Sequence, residues 1–150
     1  MIIAVTGFAG DSNAKNIYLD IEKQKKLLDR YPQSFFGVYR GPDEPSLLIE
    51  KAFDFEECAD DGVLGALWRL LKRNNLGGEY SQRAIPVRQQ CIEISEFFGI
   101  NPYQAPSYGC TVWLLKDMDD RAAVIGHTAK GPAIKRTDAE VISYLRRPGT

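Results

Sequence analysis

The segment 62–74, GVLGALWRLLKRN, constrains the fold of this chain most strongly. Val63, Leu67, Leu70 and Leu71 recur at helical spacing, with Leu64 and Trp68 beside them, so the segment reads as a helix with one broad apolar face. Such a face must be buried against another layer. The chain offers short apolar runs to build one: IIAVTG at 2–7, FDFEE at 53–57, EYSQRAI at 79–85, CTVWLLK at 110–116 and AAVIGHTA at 122–129. Each has the length of a strand, and turn residues bound several of them.

Two further long helices and one short one are expected. From Ala14 to Tyr31 the positions Ile17, Ile21, Leu28 and Tyr31 face one way, and Pro32 stops the run. Asp11, Ser12 and Asn13 precede it as candidate N-caps. Pro86 opens a second helix through Val87, Cys91, Ile94 and Phe98, closed by Gly99. Between them SFFGVYR (34–40) reads as a strand, GPDEP as a loop, and SLLIEKA (46–52) as a short helix capped by Ser46. NPYQAPSYG (101–109) is a long turn, DMDD (117–120) a charged one, and AIKRTDAEVISYL (133–145) a terminal hairpin turning near Thr137 and Asp138. Helices alternating with strands predict a single layered α/β or α+β domain over 1–150.

Charge and cysteines narrow the function. Net charge is -1 and pI about 5.9, so no broad basic field exists for nucleic acid. Lys135, Arg136, Arg146 and Arg147 make a local basic cluster that reads as solvated surface. The apolar runs are too short to span a membrane, and MIIAVTGFAG lacks a basic leader. Cys58, Cys91 and Cys110 form no C-x-x-C pair, so they read as free thiols in a reducing compartment, the cytoplasm. His127, the sole histidine, reads as a strand-end side chain rather than as a metal ligand or catalytic base.

Two helix N-termini are candidate sites. In EECADDGVLGALW (56–68), Asp60 and Asp61 stand just before Gly62. Their negative charge favours the positive end of the helix dipole, which alone accounts for them. Alternatively they are oxygen ligands for Mg²⁺, which would bridge them to a phosphate. The stretch is not a Walker A loop, since no lysine follows the glycine. In GFAGDSNAK (7–15), Gly10, Asp11 and Ser12 precede a helix whose first amides can bind an anion, with Lys15 within a turn. Tyr103, Tyr108, Trp113 and the Phe97–Phe98 pair are candidates for base stacking or for core.

Several pieces, in order, carry a resemblance: DDGVLGALWRLL, then LGGEYSQRAIPVRQQCIEISEFFGINPYQAPSYGC, then AAVIGHTAKG. Over roughly 57–130 they resemble the C-terminal domain of the aminoimidazole-ribonucleotide (AIR) synthetase superfamily. That superfamily includes the hydrogenase-maturation carbamoyl dehydratase, selenophosphate synthetase and thiamine-monophosphate kinase. The likeness is strongest to the hydrogenase-maturation branch and its AIR synthase-related members. The resemblance implies a three-layer α/β/α domain with partly ferredoxin-like topology. It also implies an ATP- and Mg²⁺-dependent context in which this domain walls one side of the cleft. The dimerising first domain, which supplies most of the Mg-ATP acids, is not expected in this chain. Gly10, Asp11, Ser12, Asp60, Asp61 and Gly62 then face the nucleotide, and Asp60 and Asp61 the metal.

The chain departs from the family pattern at these loops. Where relatives carry His-Asp, Thr and a first Gly before the helix, this sequence has Glu56-Glu57, Ala59 and Asp61. Arg69 replaces a glutamate after Leu67-Trp68, and the helix that relatives carry before the last strand is missing. These replacements raise a second expectation: a non-catalytic descendant that works as an oligomerising or partner-binding module. Catalytic residues are not assigned by either expectation.

Overall fold

A computed structural model describes residues 1–130. Its centre is a five-stranded sheet built from β1 (Ile2–Thr6), β2 (Asp54–Glu57), β3 (Gly77–Tyr80), β4 (Thr111–Leu115) and β5 (Ala123–Ala129). The strand order is β2-β4-β1-β5-β3 and every pairing is antiparallel. β1 is central, with Ile3 opposite Leu114 and Val5 opposite Val112. Alternation along β1 sends Ile3 and Val5 to one face and Ala4 to the other. The register between β1 and β5 shifts at Ile3/Ala4, so Ile125 bulges into the Ile3 face.

Four α-helices accompany the sheet among the described residues: α1 (Asp11–Leu19), α2 (Ile21–Leu28), α3 (Gly62–Arg73) and α4 (Gln89–Phe98). α3 lays Val63, Leu67, Leu70 and Leu71 on the Ile3/Val5 face, as its apolar stripe demands. The opposite face, with Ala4, Trp113 and Leu115, is covered by Leu47, Ile49 and Ala52. A second core joins α1, α2 and α4 through Ile17, Tyr18, Leu27, Cys91 and Ile94.

The structure corrects five local expectations. The Ala14–Tyr31 helix starts earlier, at Asp11, and is broken at Asp20. Asp20 sits in extended backbone, and its Oδ1 accepts from the amides of Glu22 and Lys23, both at 3.1 Å. A side chain that caps so well favours a new helix over an interior position. SFFGVYR is not a strand; Gln33–Tyr39 is a 3₁₀ segment. Phe36 and Tyr39, three apart, both turn into the second core, matching a three-residue turn. SLLIEKA is not a helix: Leu47 and Ile49 pack on the sheet while Leu48 points to solvent, an alternation no helix gives. EYSQRAI contributes only Glu79 and Tyr80 to β3, which begins at Gly77, and Gln82–Ala84 is a 3₁₀ turn. α4 starts at Gln89, after Pro86 rather than around it, and ends at Gly99 in left-handed backbone as expected. The hairpin expected at 133–145 and the basic residues Lys135, Arg136, Arg146 and Arg147 lie outside the described residues. No helix among the described residues is long and apolar enough to cross a membrane.

Candidate functional site

β1 runs into Gly7, whose positive φ turns the chain toward α1. Gly10 at φ 70° starts the helix, and a methyl there would lie 2.8 Å from the Pro102 carbonyl. Its amide donates to Ser107 Oγ at 2.7 Å, and that buried hydroxyl donates to the Ala105 carbonyl at 2.8 Å. The Asn13 amide donates to the Pro106 carbonyl at 3.3 Å. Ser12 Oγ donates to the same carbonyl and accepts from the Tyr108 amide, each at 2.9 Å. The first turn of α1 is thus docked on loop 101–109. Asp11 points elsewhere: its carboxylate accepts from Tyr39 Oη at 2.7 Å and Arg88 Nε at 3.2 Å. Burial first, then the Asp11 hydrogen bond, push the Tyr39 hydroxyl far above its usual range. Arg88 also stacks 4.1 Å over the Phe8 ring and reaches Glu44 at 3.0 Å.

α3 starts on the same loop. Gly62 has φ 71°, and a methyl there would lie 2.6 Å from the Tyr103 carbonyl and 2.7 Å from that of Ala105. The Leu64 amide donates to the Tyr103 carbonyl at 3.2 Å, and the Ser107 amide donates to the Ala59 carbonyl at 3.2 Å. Gly62 is therefore required by the approach of protein backbone, the role a phosphate has in a nucleotide loop.

The acidic stretch is mostly spoken for. Asp61 pairs with Arg69. Glu56 accepts from Arg69 Nε and from Arg73 Nη1, both at 2.7 Å, and Arg73 also reaches Asp54 at 3.1 Å. Burial acts to raise the Glu56 carboxyl, but the two guanidinium groups outweigh it and hold it below the usual range. Asp60 accepts from the Tyr108 hydroxyl, and Glu57 is exposed. Asp61, Gly65, Arg69 and Arg73 form a stripe at spacing four along α3. A methyl at Gly65 would meet the Asp61 carboxylate, which lies across it and would have to move aside.

The structure thus brings Gly10, Ser12, Asp60, Asp61 and Gly62 around one loop, while the Asp11 carboxylate is held by Tyr39 and Arg88. Tyr108 is the link, bonding Ser12 through its amide and Asp60 through its hydroxyl while staying 57% exposed. The sequence reading missed the parts of Ser107, Arg69, Arg73 and Arg88; the spacing-four stripe of Asp61, Arg69 and Arg73 was the available signal. No group of three or more histidine, cysteine or acidic side chains is placed to hold a metal among the described residues. Trp113 is core: its Nε1 donates to Thr6 Oγ1 at 2.9 Å beneath the sheet covering. Phe97 and Phe98 pack with the second core. His127 is a strand residue opposite Glu79. An open cavity of about 410 Å³ between β3 and β5, lined by Ser81, Ala84, Val124 and His127, includes none of the helix-start residues.

Neither a protein-family profile nor a curated protein sequence matches this chain. Solved structures do. The hydrogenase maturation protein HypE in complex with ATP aligns with TM-score 0.58 at 15% identity, over 85% of this chain and 42% of HypE. Escherichia coli HypE gives 0.60 at 16%, over 88% and 45%. The thiamine-monophosphate kinase AaThiL complexed with AMPPCP and TMP gives 0.59 at 15%, over 91% and 48%. The chain has the fold seen in these proteins. HypE and ThiL belong to the AIR synthase-like superfamily, also called PurM-like. The chain spans less than half the length of each.

Proposed function

We propose that this chain is an AIR synthase-like domain that forms one wall of an Mg²⁺–nucleotide cleft, in a hydrogenase-maturation-like or synthetase-like assembly, and does not turn over ATP alone. The observation that carries this reading is the meeting of two helix N-termini on loop 101–109, with Asp60 and Tyr108 at the surface between them. ATP and AMPPCP bound to proteins of the same fold support it. Gly10, Ser12 and Gly62 shape the wall, Asp11 braces it through Tyr39 and Arg88, and Asp60 and Asp61 supply oxygen to Mg²⁺. For that, Asp60 must leave Tyr108 and Asp61 must exchange Arg69 for the cation. The domain belongs with three-layer α/β/α folds of partly ferredoxin-like topology, and works in the cytoplasm. Calorimetric titration with ATP, with and without Mg²⁺, tests the site. We expect saturable, Mg²⁺-dependent heat that disappears in the Asp60→Ala/Asp61→Ala double variant. Saturable binding that survives the double substitution removes those acids from the site.

A second reading is favoured by the ion pairs themselves. Arg69 holds Asp61, one of the two carboxylates a metal would need, and Arg73 and Arg88 neutralise Glu56 and Asp11. Leu48, Phe53 and Phe55 are exposed beside the edge strand β2. A domain with its acids paired and an apolar patch uncovered suits a non-catalytic module that self-associates or binds a partner protein.

A further inference from the structure

The last paired residues of β2 and β4 are Glu57 and Thr111, and the next pair in the same register is Cys58 with Cys110. The Cys58 amide donates to the Cys110 carbonyl at 2.9 Å, so these residues face each other across the ladder. Directly opposed residues of an antiparallel pair have Cα atoms about 4.5–5.5 Å apart, within the span of about 4.4–6.8 Å that a disulfide bridges. Both side chains enter one core cluster with Val63 and Leu67, so both thiols lie on the same side of the sheet. The neighbouring Cys110 thiol, and then burial, push the Cys58 thiol far above the usual range, which keeps it protonated in the closed fold. Cys91 lies in the other core, against Ala14 and Ile94.

The pair sits at a consequential place. Cys58 ends the strand leading into Ala59-Asp60-Asp61-Gly62, and Cys110 follows loop 101–109 directly. We propose that Cys58 and Cys110 are a redox pair whose reversible disulfide fastens the start of α3 to loop 101–109. The proposal does not depend on what ligand, if any, those loops hold. Both thiols are buried, so the reaction passes through local opening. Among the described residues β2 is a four-residue edge strand with one neighbour, the kind of element that frays first.

A small-molecule disulfide such as oxidised glutathione is the oxidant. In the opened form one cysteine loses its proton to water, and its thiolate attacks a glutathione sulfur. That step forms a mixed disulfide and expels one glutathione thiolate. The second cysteine, likewise deprotonated, attacks the protein sulfur of the mixed disulfide, forming the Cys58–Cys110 bond and expelling the second glutathione thiolate. Two protein thiols are oxidised, one glutathione disulfide is reduced to two thiols, and the protons released reprotonate the leaving thiolates.

The test uses the intact chain incubated with oxidised glutathione, with and without sub-denaturing urea, then alkylated and digested without reductant. The expected product is a linked peptide pair carrying Cys58 and Cys110, with Cys91 alkylated. It should form faster in urea and vanish with dithiothreitol. The oxidised protein should melt several degrees higher, because the bond closes a long loop of the unfolded chain. Alkylation of both Cys58 and Cys110 after exposure in urea overturns the proposal. So does arrest at the mixed disulfide, or pairing through Cys91. The wild-type chain carries the whole test, so no substitution that unfolds the protein can obscure it.

Discussion

Gly62 and Gly99 share the left-handed backbone, with φ 71° and 69°, but differ in surroundings. A methyl on Gly62 would strike two carbonyls of loop 101–109, whereas one on Gly99 would meet open space. Gly99→Ala should therefore cost only the backbone strain, about 1 kcal/mol. Gly62→Ala must also displace the loop and should cost about 3 kcal/mol. Urea unfolding of the two variants measures the gap; equal losses would mean that the loop does not bear on Gly62. Gly62 was legible in the sequence as a helix-start glycine, read there as facing a nucleotide. What crowds it was not legible, since Tyr103 and Ala105 lie some forty residues away along the chain.

α3 is held to the sheet edge by charge as well as by packing. Arg69 and Arg73 reach across to Glu56 and Asp54 on β2, which among the described residues pairs with β4 alone. Glu56 has its folded-state carboxyl below the ordinary 4.5, so its contribution is complete above that pH and is lost as pH falls through the folded value. Acid melting curves should show it: wild-type stability declines below about pH 4.5, and Glu56→Gln declines less steeply over the same interval. At neutral pH an Arg69→Ala/Glu56→Gln cycle should give a coupling of about 0.5–1 kcal/mol, since the pair is only partly buried. A coupling near zero would reduce the clamp to decoration. α3 and α4 were legible from helical spacing, β2 from its alternation, and β1, β4 and β5 from short apolar runs. Those decided by a single side chain were not. Asp20 ended one helix and capped the next, and Leu47 and Ile49 alternated onto the sheet instead of forming the short helix expected there. In the site, the glycines and acids were legible by type, but their arginine and tyrosine partners were set by tertiary contact.

At the scale of the molecule, the chain has the fold of a part of longer proteins, spanning less than half of HypE or ThiL. Leu48 and Phe53 are 62% and 51% exposed, apolar side chains left in water. If the chain self-associates there, sedimentation at micromolar concentration should show a species heavier than the monomer. Leu48→Glu/Phe53→Glu should return it to a monomer with little loss of stability, because both side chains are already largely in water. A wild type that sediments strictly as a monomer counts against self-association by this surface. Loop 101–109 has a mechanical meaning as well. It is wedged between two glycines, with Pro102 against Gly10 and Tyr103 and Ala105 against Gly62. α1 packs into the second core and α3 onto the sheet, so this one loop is the backbone on which the starts of both helices rest, and a change in it is met by both.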